Sequence, residues 1–187
     1  MNEETENPWK IISSQKIYDN PWISLTEHQV INPSGGEGIY GQVHFKNLAI
    51  GVIVLDDEQN TWLVGQYRFP LNQYSWEIPA GGGRLNSDPL ETAKRELQEE
   101  TGMTAVSWTE IQRMHLSNSV SDELAIIYLA QDLNYGKAEP EETEQLEVRK
   151  MKFEEAYNLV LEGEITDSLS VAAILKVKIV IAESKLL

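Results

Sequence analysis

The order of elements predicts an α/β/α sandwich on a mixed sheet, entered through a small antiparallel sheet at the N-terminus. Three observations carry this. The first 45 residues are rich in strand formers cut by Asn-Pro and Gly-Gly turns. Leu48 to Leu55 is a near-continuous apolar run, the pattern of a strand buried on both faces. Asp88 to Gly102 reads as a helix with both ends marked, and two further helical patterns close the chain.

A chain of 187 residues with 41% apolar content supports one domain of ordinary size plus a small appended piece. We divide it into an N-terminal sheet region over residues 1–45 and a main domain over residues 46–187. The sequence has no cysteine, which excludes disulfides, zinc-thiolate sites and thiol nucleophiles. The polar, acidic start is neither a signal nor a transit peptide, and no run has the length of a membrane span. These features fit a cytoplasmic protein with no membrane partner. A formal net charge of −15 argues against a broad nucleic-acid surface. A small polyanion remains compatible if a metal and a few local cations offset the field.

Taken in order, the chain first offers strands at Trp9 to Ser13, Lys16 to Tyr18, Trp22 to Val30 and Ile39 to Val43. Asp19-Asn20-Pro21 and Asn32-Pro33-Ser34-Gly35-Gly36 separate them. After the apolar run, Asp56 to Asn60 is a turn, and Thr61 to Phe69 is expected to return as the partner of that run. Trp76 to Ala80 leads into a glycine run. Asp88 is the N-cap, Pro89 fits the first helical position, and Glu91 stands where a capping-box acid reaches back. Leu90, Ala93 and Leu97 make an apolar stripe, and Gly102 is a left-handed stop. Ala105 to Met114 and Leu124 to Ala130 follow as strands, with Trp108 and Ile111 expected in the core. Gly136 to Glu147 is an acidic stretch broken by Pro140, read as an exposed loop entering a strand at Gln145 to Met151. Phe153 to Val160 and Leu169 to Ala182 have helical spacing, the second capped by Asp167 or Thr166.

The chemistry lies in the last turn of the first helix. Glu96, Glu99 and Glu100 fall at i, i+3 and i+4, on one side of the helix. The helix dipole already disfavours negative charge there, and the three acids repel one another. Arg95 offsets Glu99 by its i, i+4 relation, and two further acids remain. A Glu-rich last turn is more often a solvated face. Hard oxygen ligands so crowded also suit Mg²⁺ or Mn²⁺.

The order of residues decides between these readings. Arg95-Glu96-Leu97-Gln98-Glu99-Glu100-Thr101-Gly102-Met103, led by Gly81, resembles the signature of the Nudix hydrolases. Its second half matches at every defined position. One position departs: Ser87 stands where the signature has its first glutamate, an acid that mostly supports the loop and helix. That departure keeps a non-catalytic Nudix-like nucleotide-sugar-binding module as an alternative, beside a Nudix hydrolase of another nucleotide class.

The N-terminal half is similar to the ADP-ribose and nucleotide-sugar branch of that family. The resemblance implies the Nudix α/β/α sandwich, with the leading sheet exchanged between the subunits of a homodimer. It implies Mg²⁺, with Mn²⁺ as substitute, held by Glu96, Glu99, Glu100 and the carbonyl of Ala80. It places Trp22 and Tyr40 as rings that stack on the nucleotide base, worth roughly 1–3 kcal/mol per contact. Arg68, in a Gln-any-Arg setting, meets the phosphates, and Glu77 opens the Glu-aliphatic-Pro-Ala-Gly lead-in. Ser117 to Glu123 resembles the branch's acidic loop, with Glu123 as general base and Asp122 as fallback. The expected activity is hydrolysis of a nucleoside diphosphate sugar, such as ADP-ribose or GDP-mannose, to a nucleoside monophosphate and a sugar phosphate. The preferred sugar, the phosphorus attacked and the number of metals are not encoded in these motifs.

Overall fold

The computed structural model describes residues 6–138 and 146–183. The chain divides into two compact units, Met1–Asn47 with His115–Glu123, and Leu48–Met114 with Leu124–Leu187.

The first unit is a three-stranded antiparallel sheet in the order β1 (Lys10–Asp19), β2 (Ile23–Ile31), β3 (Glu37–Phe45). The two strands expected before Asp19 are one strand. Register shifts after Ile11 and after Lys16 insert bulges that interrupt its alternation and make it read as two pieces. Asn20 shapes the first turn by accepting from the amides of Trp22 and Ile23. Asn32 shapes the second by accepting from those of Ser34 and Gly36.

Among its described residues the second unit carries two sheets and three α-helices. One sheet has the order β7 (Ala80–Arg84), β4 (Asn47–Val54), β9 (Leu124–Tyr135), β8 (Met103–His115). The other has the order β10 (Glu147–Lys152), β5 (Asn60–Arg68), β6 (Gln73–Glu77). The helices are α1 (Pro89–Thr101), α2 (Phe153–Leu161) and α3 (Ser168–Ala182). β4 and β9 run parallel, so the sheet is mixed and its centre is covered on both faces. Period-two alternation sorts the side chains of β4. Ile50, Val52 and Val54 join Ile126 and Tyr128 of β9, with Ala93 and Leu97 of α1, in one buried cluster. Gly51, on the other face, meets Ile78 and Leu169 so closely that a Cβ would lie 2.9 Å and 3.0 Å from their methyls.

One expected pairing is corrected. β5 does not pair with β4; its neighbours are β10 and β6, both antiparallel. The turn between β4 and β5 is tight, with Asp56 accepting from the amides of Glu58 and Asn60 at 3.0 Å and 2.7 Å. Gln59 takes a positive φ of 58° within it. The two strands then diverge into different sheets. Trp108 and Ile111 are half-buried rather than enclosed. The acidic stretch from Gly136 to Glu147 falls largely on residues 139–145, outside the described residues.

Candidate active site

The ends of α1 follow from local chemistry. Asp88 accepts from the Leu90 amide at 2.9 Å, Pro89 takes the position that needs no donor, and Gly102 closes the helix at φ 73°. Glu91 forms no capping box; it accepts from Lys94 at 2.7 Å, one turn along the surface. Ala93 and Leu97 anchor the inner face. With that face fixed, the helical repeat carries Glu96 and Glu100 inward, at 7% and 2% exposure, and leaves Glu99 half-buried.

Each acid has a defined neighbour. Glu100 accepts from the Ala80 amide at 3.0 Å, which ties the last turn of α1 to the start of β7. Glu96 lies against Gly81, where a Cβ would overlap its carboxylate. Thus Gly81 makes room for a helix acid. Arg95 bridges outward, donating to Glu96 and, at 2.5 Å, to Glu99. Among the described residues, no three His, Cys, Asp or Glu side chains are gathered tightly enough to be a formed metal cluster. The donor chemistry nevertheless fits a hard divalent cation: buried carboxylates lie beside a glycine strand, with a single guanidinium spanning two of the acids.

The lead-in strand is organised by ionic and hydrogen-bonded pairs. Arg68, at the end of β5, donates through Nε and Nη2 to both oxygens of Glu77, at 2.9 Å and 2.5 Å. Glu77 is enclosed, while the Arg68 side chain is 40% exposed. The hydrogen bond to Glu77 outweighs burial and raises the pKa of the Arg68 guanidinium, with the charges of Glu77, Asp167 and Glu100 adding to the effect. One residue on, the Ile78 amide donates to Ser170 Oγ at 2.9 Å, and that hydroxyl donates to Asp167 at 2.7 Å. Asp167 is therefore both the N-cap of α3 and a support for the strand that carries Glu77. Its capping role is legible in sequence; its link to Ile78, made across ninety-odd residues, is not.

Ser87 has a local task. Its hydroxyl and its amide both donate to the Arg84 carbonyl, at 2.8 Å and 3.0 Å, closing the turn before Asp88.

The other singled-out residues belong to the first unit. Trp22 is 65% exposed, just ahead of β2. Tyr40, in β3, meets Trp9 edge to face at 5.3 Å and donates its hydroxyl to the Ser119 carbonyl at 2.5 Å. Ile23 pairs with Phe45, and His28 with Tyr40. Trp22 precedes Ile23 by one residue, so at ~3.4 Å per residue six positions put Trp22 and Tyr40 about 20 Å apart along the sheet. That backbone separation is far more than the thickness of one base.

Asp122 and Glu123 are adjacent in sequence and differ in surroundings. Burial acts to raise the Asp122 pKa, but hydrogen bonds from His44 and from the Phe45 amide outweigh it and hold it below the usual range. Glu123 is pushed up by burial and by the charge of Asp122. Asp122 is thus an ionised acceptor already engaged, and Glu123 is the acid with raised proton affinity. His44 was not marked by any sequence signal.

Comparison with known proteins bears on the family and the fold. A family model described as NUDIX domain matches residues 45–171, and one described as Nucleoside diphosphate sugar hydrolase N-terminal domain matches residues 9–43. The chain is 34% identical to an ADP-ribose pyrophosphatase of Bacillus subtilis over 167 residues, covering 88% of this chain and 90% of that one. It is 33% identical over 176 residues to an ADP-ribose pyrophosphatase of Mycobacterium tuberculosis, covering 92% and 84%. A crystal structure of an ADP compounds hydrolase superposes with a TM-score of 0.85 over 97% of this chain and 98% of its own, at 18% identity, a likeness of fold.

Proposed function

The chain belongs to the Nudix hydrolase family, and on that premise we propose that it cleaves the pyrophosphate of nucleoside diphosphate sugars of the ADP-ribose or GDP-mannose kind. The products are a nucleoside monophosphate and a sugar phosphate. The observation that carries this reading is the pair of buried carboxylates, Glu96 and Glu100, held against the glycine strand of a chain whose N-terminal sheet matches the nucleotide-sugar model.

Glu96, Glu99, Glu100 and the Ala80 carbonyl would hold Mg²⁺, with Mn²⁺ as substitute. When bound, the cation supplies charge neutralisation on the diphosphate and acidifies water. The protein's own groups do the rest. Glu77 fixes Arg68 in a bidentate pair, so the guanidinium is pre-oriented for a phosphate oxygen. Glu123 takes the proton of the attacking water, a task that its raised proton affinity suits. Trp22 and Tyr40 stack on the base. Their separation along one sheet favours taking the two rings from different copies, which supports a homodimer with exchanged N-terminal sheets. Exposed apolar residues on that sheet, Ile11, Ile12, Ile17 and Ile39 among them, supply surface for such an exchange. No helix of the described residues is long and apolar enough to cross a membrane, and a chain without cysteine fits a reducing cytoplasm.

The test is a panel of nucleotide sugars with Mg²⁺, products resolved by chromatography, run in ¹⁸O-water to mark the phosphorus attacked. Turnover of ADP-ribose or GDP-mannose to monophosphate and sugar phosphate is expected. Turnover of nucleoside triphosphates in preference to every sugar nucleotide would overturn the substrate class.

A further inference from the structure

The Ser117–Glu123 loop is built as an annex of the N-terminal sheet. The Val43 amide donates to the Val120 carbonyl at 2.8 Å, the Asp122 amide donates back to the Val43 carbonyl at 3.3 Å, and Val43 and Ser121 form a parallel bridge. Tyr40 donates to Ser119 from the same strand. The side chain of Asp122 completes the attachment. One oxygen accepts from the Phe45 amide at 2.9 Å, and the other lies 2.5 Å from His44 Nδ1. An ionised carboxylate only accepts, so Nδ1 carries the proton in that contact. Both Asp122 oxygens are therefore spent on β3, and Glu123 follows directly in the chain.

We propose that His44 is a positioning residue for the reaction: with the Phe45 amide it clamps Asp122, and the clamped Asp122 fixes the backbone from which Glu123 presents its carboxylate. The inference rests on the assignment of Glu123 as base and explains why an aspartate precedes it. Two adjacent acids do different work, one anchoring and one accepting the proton. A histidine is suited to the anchor because its ring is short and rigid, and its Nδ1–H reaches a carboxylate on the neighbouring chain segment without the rotamer freedom of lysine.

The test uses the full-length enzyme and the fastest substrate of the panel above. His44→Ala removes the donor; His44→Asn places an amide N–H near the position of Nδ1. We expect His44→Ala to lower kcat about tenfold, part of the ~10²–10⁴ that a placed base supplies, with KM within about twofold. His44→Asn should restore most of the loss. In a Glu123→Gln background, His44→Ala should add little, because the group it positions is gone. A wild-type kcat in His44→Ala, no recovery in His44→Asn, or the full tenfold loss persisting beside Glu123→Gln would each overturn the positioning role. A fast Glu123→Gln enzyme would overturn the base assignment and with it the inference. A slow Glu123→Gln enzyme with a fast His44→Ala enzyme overturns only the positioning role.

Discussion

Glu100 combines near-complete burial with a hydrogen bond from the Ala80 amide, and few residues of this chain carry such opposed demands. Its amide counterpart preserves shape and can still accept from Ala80, but loses the charge. Glu100→Gln should therefore melt within a few degrees of the parent while turnover falls at least ~10²-fold and its dependence on Mg²⁺ weakens, a loss of the size seen when one electrostatic contact to the transition state is removed. Near-full rate in that variant would sink the metal assignment. For Glu123 as the proposed base the sign follows from its raised proton affinity. A base works only when deprotonated, so kcat should climb with pH through an apparent pKa above the ordinary glutamate range of about 4.3, and that acidic limb should vanish in Glu123→Gln. Thr61 offers a test of stability alone. It is fully buried in β5, and its hydroxyl is without a hydrogen-bond partner. Thr61→Val keeps the shape and removes the stranded group, so thermal unfolding should be unchanged or shifted upward by the equivalent of about 1 kcal/mol.

Helix α1 is the element on which the acids depend, and its stop is as specific as its start. A Cβ on Gly102 would lie 2.5 Å from the Ala138 amide nitrogen and 2.7 Å from the Gly136 carbonyl oxygen, and the backbone there has a positive φ. Both penalties fall on Gly102→Ala: about 1–2 kcal/mol for the left-handed conformation, plus the displacement of neighbouring backbone. We expect a fall in melting temperature of at least about 4 °C, measured by circular dichroism, with Asp88→Ala costing about 1 kcal/mol at the opposite end. This element was readable in advance because its determinants are local. Asp88, Pro89, Leu90, Ala93, Leu97 and Gly102 each act on neighbours within a turn or two. The partner of β5 was not readable, for the opposite reason. An apolar run and a tight Asp56–Asn60 turn describe a hairpin equally well whether the strands stay together or part, and β10, which takes one edge, lies some eighty residues away. The resemblance located Glu77 and Arg68, but that they hold each other is a fact of pairing between β5 and β6. His44 had no signal at all, since a lone histidine in a strand looks like any surface residue until its partner across 78 positions is known.

At the scale of the whole molecule, charge and assembly set the remaining expectations. A net charge of −15 repels a diphosphate at long range. Raising ionic strength from about 0.01 to 0.15 M at fixed free Mg²⁺ shortens the screening length from ~30 Å to ~8 Å, so KM should fall as salt is added over that range. The proposed exchange of N-terminal sheets in a homodimer has a sharper test. Trp22→Ala and Tyr40→Ala should each raise KM, and a mixture of the two allowed to exchange subunits should recover part of the lost affinity, because one site of each mixed dimer regains both rings. No recovery on mixing would mean that the rings serve separate purposes. The interlock between β3 and the 117–123 segment also bears on any attempt to dissect this protein. A shortened gene beginning at residue 46 would look like a natural minimal catalyst, since a family model starts at residue 45. It would leave the Val120 carbonyl and the Asp122 amide without Val43, and Asp122 without His44 and Phe45. The excised fragment is then more than an accessory for docking a base: with Glu123 as the proposed base, its loss untethers the segment that carries that acid, so such a truncation should cost chemistry as well as affinity.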